Sequence, residues 1–174
     1  ALDSSGVKVH KSYGWIERKH GIKKHYIKIH FAVNINTKEI IDMQITRDDI
    51  ADSKAAIDMI NDNIDKVYAD GAYDTLSIYK ILEDNNIEAI IKPRRNARDD
   101  SISNIRNDNV RCIRELGYKQ WSKLKGYGKR WMVETVYSSF KRMFNEYCLA
   151  RSFEYIKKEI ITKVWIYNML INLR

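Results

Sequence analysis

The sequence is poor in the residues and patterns that mark secreted, zinc-bound or membrane-embedded proteins. Only two cysteines, Cys112 and Cys148, occur among 174 residues, and no histidine cluster lies beside them. This excludes a disulfide framework and gives no support to a zinc site. No apolar run approaches the ~20 residues that span a bilayer, and the start lacks the order of a secretory signal. We therefore expect a soluble, cytoplasmic protein with no membrane partner.

The length and composition predict one domain over residues 1–174, because 44% hydrophobic and 11% aromatic residues can build one core. No internal repeat or low-complexity tract is present. The chain starts at Ala1-Leu2-Asp3 without a methionine. We therefore expect a shortened chain that lacks an upstream recognition region.

Charge is segregated along the chain, whose formal net charge is +8. Residues 1–38 contain 8 basic and 2 acidic side chains, and residues 92–174 contain 19 basic and 8 acidic ones. The intervening residues 39–91 are acidic, with 4 basic and 13 acidic side chains. Two basic segments on a domain kept soluble by acidic residues elsewhere are typical of a nucleic-acid binder.

Hydrophobic periodicity predicts an α/β fold. Alternating residues indicate three antiparallel strands within residues 1–46, and the period then changes to that of a helix. The order three strands, helix, strand, helix, strand suits a mixed sheet flanked by helices, with a crossover helix between the last two strands. The later predicted elements are a helix at 52–63, a strand at 66–69, a helix at 75–85, a strand at 87–91, an irregular, mobile, nucleic-acid-facing segment at 92–126, and helices at 129–146 and 154–172.

Asp70 follows directly on the predicted strand at 66–69. The carboxyl ends of strands are where open α/β sheets commonly place ligand chemistry. Asp70 is therefore a candidate functional residue.

A second candidate site lies on the helix predicted at 129–146. At about 100° per residue, Tyr127, Arg130, Glu134 and Lys141 share one polar stripe, while the apolar residues lie on another side. Such a helix can pack on a sheet and present Glu134 at the packing edge. Arg130 and Glu134 also have the i, i+4 spacing of an ordinary surface pair, and that alternative stays open here.

Asp3, Asp70 and Glu134 together form a candidate metal site. Carboxylates are the hard oxygen ligands that Mg²⁺ and Mn²⁺ prefer. Two such ions ~3.5–4 Å apart can clamp the attacking and leaving oxygens of a phosphodiester displacement. This pattern favours an enzyme that cuts and joins phosphodiester bonds.

These residues carry a resemblance to the catalytic domain of DDE transposases of prokaryotic insertion sequences. The signature Tyr-x2-Arg-x3-Glu-x6-Lys is complete in Tyr127, Arg130, Glu134 and Lys141. The segment Asp3-Ser-Ser-Gly6 resembles the first-aspartate strand of the family, and Tyr68-Ala-Asp-Gly-Ala-Tyr-Asp74 resembles its second-aspartate motif. The similarity extends over nearly the whole chain.

The resemblance implies a ribonuclease-H-like fold in which Asp3, Asp70 and Glu134 hold two Mg²⁺ or Mn²⁺ ions. It also implies cutting at the ends of a DNA element and attack of the 3′-hydroxyl on target DNA. Tyr127, Arg130 and Lys141 would contact the DNA. The partners would be element-end and target DNA, bound by a homodimer in the nucleoid.

Two other functions remain open at this point: a ribonuclease-H-like nuclease, and a DNA-binding remnant without catalytic activity.

Several residues also have two interpretations. Asp74 is interpreted as a helix cap rather than a group that supports the site, and His30 as a structural histidine. Trp121 and Trp131 are interpreted as core or rim residues rather than base-stacking ones, and His10, His20 and His25 as surface or loop groups.

Overall fold

The computed structural model describes residues 1–9, 26–61 and 63–173, and of Tyr26 its backbone alone. His10, His20 and His25 therefore lie outside the described residues. In the described part of the chain, no helix is both long enough and apolar enough to cross a membrane. The strands are Leu2–Val9 (β1), Tyr26–Val33 (β2), Ile40–Arg47 (β3), Lys66–Ala69 (β4), Glu88–Ile91 (β5) and Tyr147–Cys148 (β6), and the α-helices are Asp52–Ala56 (α1), Leu76–Asp84 (α2), Asn104–Leu124 (α3), Trp131–Phe144 (α4) and Phe153–Asn172 (α5).

The larger sheet has the strand order β3-β2-β1-β6. β1 pairs antiparallel with β2, with Asp3 opposite Phe31, and β2 pairs antiparallel with β3. These pairings confirm the antiparallel meander predicted from alternation. The short β6 runs parallel to β1 on its other edge; two residues are too few to give a periodic signal in the sequence.

β4 and β5 form a second sheet, in which the two strands are parallel. α2 connects them, as predicted for a crossover helix. The prediction of one mixed sheet differs from the structure, because no hydrogen-bonded ladder joins the two sheets among the described residues. They meet instead through apolar side chains: Leu2 and Ala32 belong to the same buried cluster as Ala69 and Ile91.

The main core lies between the larger sheet and helices α4 and α5. Phe31 of β2 stacks on Tyr137 of α4, with ring centroids 4.7 Å apart, and meets Phe140 edge-on at 5.3 Å. Ile156 and Ile160 of α5 belong to the same cluster. This packing fixes α4 against the strand pair that includes Asp3.

The helix predicted at 52–63 is shorter in the structure. α1 ends at Ala56 and is followed by a 3₁₀ turn at Ile57–Met59. The side chain of Asn61 then accepts a hydrogen bond from the backbone N–H of Asn63 (3.2 Å). Such Asx turns offer the backbone an alternative to helical hydrogen bonds, so the helix stops early.

The segment 92–126 contains a long helix, so the prediction of an irregular, mobile segment was wrong. α3 begins after Ser103, whose hydroxyl caps it by accepting from the backbone N–H of Arg106 (3.2 Å). Buried Asn109 receives a hydrogen bond from Trp121 Nε1 and donates one to the carbonyl of Ala89, each 3.1 Å long. The helix therefore docks through the bond to Ala89 and a few buried apolar residues such as Trp121, which leave little hydrophobic periodicity in the sequence.

Candidate active site

Asp3 lies in β1, where strand alternation buries Leu2 and leaves the Asp3 side chain 21% exposed. Its Oδ1 accepts a hydrogen bond from the backbone N–H of Ser4 (2.9 Å). The hydroxyl of Tyr137 lies 2.8 Å from the main-chain oxygen of Asp3 and 2.9 Å from that of Ile29. α4 therefore holds the backbone of Asp3 in place through Tyr137.

Asp70 is the first residue after β4, at the carboxyl end of that strand as predicted. Its Oδ1 accepts a hydrogen bond from the backbone N–H of Ala72 (2.8 Å) and caps a 3₁₀ turn at Gly71–Tyr73. This cap uses one carboxylate oxygen, and no hydrogen bond from a described residue reaches the other. Asp70 is thereby oriented by its own turn.

Arg130 connects two of the candidate metal ligands. Its Nη2 donates a hydrogen bond to Glu134 Oε1, and its Nη1 lies 3.6 Å from Asp3 Oδ2. The Arg130 side chain is only 14% exposed. The i, i+4 pair of Arg130 and Glu134 is thus present, but it is more than an ordinary surface pair, since the guanidinium is largely buried and also contacts a carboxylate from β1.

The carboxylates also influence one another electrostatically. The pKa of Asp3 is raised from 3.8 to about 6, mainly by burial and to a smaller extent by the negative charges of Asp70 and Glu134. The backbone N–H of Ser4 and the charge of Arg130 act in the opposite direction. The three predicted ligands thus share one electrostatic environment, although no group of three or more acidic, histidine or cysteine side chains in the described chain is arranged to hold a metal ion.

Tyr127 does not share the polar stripe of α4. It lies in a 3₁₀ turn at Tyr127–Arg130 that precedes the helix, and its ring packs on buried Trp121 with centroids 5.0 Å apart. Burial raises the pKa of its hydroxyl to about 12. The prediction of one continuous stripe was wrong here, because a 3₁₀ turn advances by about 120° per residue instead of 100°.

Lys141 lies in the last turn of α4, half-buried. None of the ion pairs found among the described residues includes it. It remains on the same helix as Glu134, about two turns further along. The structure therefore joins Asp3, Arg130 and Glu134 directly, and leaves Lys141 apart from them.

A cavity of about 870 Å³ opens beside Asp70 and Arg130. Its walls come from the 3₁₀ turn at Tyr127–Arg130, from α3 and from the segment that follows β5. Five basic side chains line it, against the single acidic Asp70: Lys92, Arg94, Arg95, Arg114 and Arg130. The candidate active site thus adjoins a strongly basic cavity.

The family model described as the transposase DDE domain matches residues 1–169. The chain belongs to this family. It is accordingly a transposase catalytic domain, which acts on DNA in transposition and recombination, and transposases of this class generally use divalent metal ions. No solved structure matches the chain.

Asp74 in the transposase domain has a role that the sequence did not indicate. The N-cap of α2 is Thr75, so the cap interpretation of Asp74 was wrong. The fully buried Asp74 carboxylate pairs with Arg106 of α3, at 2.8 Å from Nε and 3.3 Å from Nη2, and accepts a hydrogen bond from the backbone N–H of Arg94 (2.9 Å). It therefore ties the second-aspartate motif to α3 and to the wall of the cavity.

Three further residues have clear positions. His30 is buried and its Nε2 lies 2.9 Å from Thr46 Oγ1, which agrees with a structural histidine. Trp121 is fully buried, as expected of a core residue. Trp131 is 66% exposed and lines the basic cavity, so it belongs to the rim and not to the core.

Proposed function

We propose that this transposase domain cuts phosphodiester bonds at the ends of a DNA element and joins the resulting 3′-hydroxyl to target DNA. Asp3, Asp70 and Glu134 would be the ligands of two Mg²⁺ or Mn²⁺ ions. The contact of Arg130 with both Asp3 and Glu134 carries this proposal. The guanidinium of Arg130 lies between two carboxylates, and the negative charge of Asp70 acts on one of them, Asp3.

The side chains present fit divalent ions in chemical type, because all three are carboxylates, the ligands that Mg²⁺ and Mn²⁺ prefer. The arrangement also needs a cation, since burial and the neighbouring charges disfavour the ionised form of Asp3. In this structure the guanidinium of Arg130 supplies that positive charge. When bound, divalent ions would activate the attacking hydroxyl and stabilise the negative charge that develops on the phosphoryl oxygens.

The remaining residues of the signature would bind and position the DNA. Arg130 would exchange its carboxylate contacts for a phosphate of the substrate, to which a guanidinium can donate two parallel hydrogen bonds. Lys141, free of the carboxylate cluster, would contact a phosphate further along the strand. Tyr127 is buried against Trp121 and would act mainly by fixing the turn that positions Arg130.

The finer assignments belong to the same proposal. The arrangement of strands and helices is compatible with a ribonuclease-H-like fold, with the whole chain as one catalytic domain. The spacing Tyr127, Arg130, Glu134, Lys141 supports the group of prokaryotic insertion-sequence transposases. Cutting two element ends together requires two active sites, so we infer a homodimer on DNA.

A strand-joining assay on pre-cut element-end DNA tests the proposal. The variants Asp70→Asn and Glu134→Gln keep side-chain shape and remove one negative charge each. We expect Mn²⁺-dependent joined product from the wild type and at least a hundredfold less from either variant, with unchanged binding of DNA in EDTA. Asp65→Asn is a matched control, because Asp65 lies just before β4 and away from the acidic cluster.

Two outcomes would contradict strand transfer. Metal-dependent nicking without joined product would identify a nuclease. DNA binding without any cutting or joining, in the wild type and the variants alike, would identify a remnant that has lost its catalytic activity.

A further inference from the structure

The basic cavity beside Asp70 has an excess of positive charge that the carboxylate cluster does not balance. Lys92, Arg94 and Arg95 form no ion pair with any described residue. The Nε of Arg94 donates to the carbonyl of Gly71 (3.1 Å), which holds the guanidinium beside the residue that follows Asp70. Arg114 pairs with Asp99 (2.8 Å), but Asp99 is shared with a second arginine, Arg111, at 3.3 Å.

The walls of this cavity are held in place by buried contacts. The Asp74 carboxylate accepts hydrogen bonds from the backbone N–H of Arg94 and from the Arg106 side chain. One carboxylate therefore fixes both the segment after β5 and the start of α3. Arg106 also donates from Nη1 to the carbonyl of Arg98 (2.8 Å). The basic side chains therefore project from a backbone that is already ordered, which lowers the entropic cost of binding a ligand.

The rim adds two exposed aromatic rings. Trp131 is 66% and Tyr118 is 44% exposed. Lys92 Nζ lies 5.0 Å from the centroid of the Tyr118 ring, a cation–π contact that orients the ammonium group at the cavity. A cluster of cations next to exposed aromatic rings suits a nucleic-acid strand, which carries both phosphates and bases that can stack.

We propose that Lys92, Arg94, Arg95 and Arg114 bind the phosphodiester backbone of the DNA strand that passes Asp70. This inference rests on the proposed function, since it assigns the path of the DNA beside the proposed metal ligands. Phosphates recur along a strand every few ångströms, so a cavity with four cations can engage several of them. The residues outside the Tyr127-to-Lys141 signature would then supply much of the affinity for DNA.

The test is the binding of a fluorescent duplex oligonucleotide, measured by anisotropy in EDTA over a range of salt concentrations. The test variant is Lys92→Ala/Arg95→Ala, which removes two exposed cations from the cavity. The matched control is Lys119→Ala/Lys123→Ala, which removes two exposed cations from the same helix that forms the cavity wall, but outside the cavity. Thermal unfolding of both variants checks that they fold like the wild type.

We expect the test variant to bind DNA at least tenfold more weakly at about 0.1 M salt. The slope of log K against log salt should become shallower by ~2. The control variant should keep the slope of the wild type. Arg95→Ala alone should lower the slope by ~1, and this single variant keeps the Lys92 contact with Tyr118.

Equal losses in the test and control variants would overturn the proposal, because they would show that DNA binds to basic side chains regardless of position. A wild type that does not bind DNA would overturn it as well. EDTA removes divalent ions, so these results do not depend on the chemistry of Asp3, Asp70 and Glu134. A domain that binds through the cavity but joins no DNA would contradict the proposed function and leave the cavity assignment intact.

Discussion

The hydroxyl of Tyr137 in α4 lies 2.8 Å from the main-chain oxygen of Asp3 in β1, although 134 residues separate them in the chain. The same hydroxyl lies 2.9 Å from the carbonyl of Ile29 in β2. Tyr137 therefore ties the helix of Glu134 to the strand of Asp3.

Replacing Tyr137 tests the contribution of the contact to stability and to the site. Tyr137→Phe removes the hydroxyl and keeps the stacking on Phe31, so we expect the free energy of unfolding to fall by about 1 kcal/mol. Tyr137→Leu also removes the ring and should cost about 3 kcal/mol. Urea denaturation measures both changes. Equal stability of Tyr137→Phe and the wild type would show that water replaces the hydroxyl without loss.

The raised pKa of Asp3 makes stability depend on pH in the absence of divalent ions. Burial raises the pKa of Asp3 to about 6 in the folded chain, above its ordinary value of 3.8, so folding favours the protonated form. The protonated Asp3 therefore contributes fully to the free energy of unfolding below about pH 4, and this contribution is lost as pH rises through about 6. Its size is on the order of 3 kcal/mol.

The matched variant for this prediction is Asp3→Asn, which cannot ionise. We expect the free energy of unfolding of the wild type, relative to this variant, to fall between about pH 4 and pH 6. Urea denaturation in EDTA at several pH values gives the free energy of unfolding of both proteins, and hence the difference between them at each pH. Parallel curves for the two proteins would contradict a raised pKa at Asp3.

Arg130 should compete with divalent ions for the carboxylates. Its guanidinium contacts Asp3 and Glu134 directly, so Arg130→Ala should raise the affinity for Mn²⁺ tenfold or more in the absence of DNA, since a like charge is removed from the site. Isothermal titration calorimetry measures this affinity. Arg130→Lys keeps the charge and should bind Mn²⁺ like the wild type. Weaker Mn²⁺ binding by Arg130→Ala would show that Arg130 supports the site and does not compete with the metal.

Two arginines of α3 should differ in their contribution to stability. Arg106 pairs with fully buried Asp74, whereas Arg111 pairs with Asp99 at the surface. Arg106→Ala leaves a buried carboxylate without its partner and should lower the free energy of unfolding by about 3 kcal/mol. Arg111→Ala should cost less than about 1 kcal/mol. Similar losses in both variants would contradict the structural role of Asp74.

Much of the fold was predictable where the sequence is strictly periodic. β4 has the predicted bounds, and α5 begins and ends within a residue of the prediction. The end of β4 also placed Asp70 correctly, because a strand that ends in Asp-Gly leads directly into a turn. In these elements, local periodicity and burial point to the same structure.

The polar helix α3 was not predictable in the same way. It contacts the rest of the domain through a few buried apolar residues such as Trp121 and through hydrogen bonds such as the one from Asn109 Nδ2 to the carbonyl of Ala89. Its cap is a serine within a run of polar residues. Gly117, with φ of +78°, interrupts the helix and obscures its periodicity further. Hydrogen bonds of this kind depend on residues that are distant in the sequence, so periodicity does not reveal them.

The sequence by itself determined the residue types of the candidate site and the elements of Asp3, Asp70 and Glu134, because these follow from local pattern and spacing. The tertiary structure decided which of them meet. It buried Tyr127 against Trp121, brought Arg130 between Asp3 and Glu134, and paired Asp74 with Arg106. These contacts join β1, the turn before α2, α3, and α4 with the 3₁₀ turn that precedes it. Their geometry depends on how the helices pack on the sheets, which no local spacing specifies.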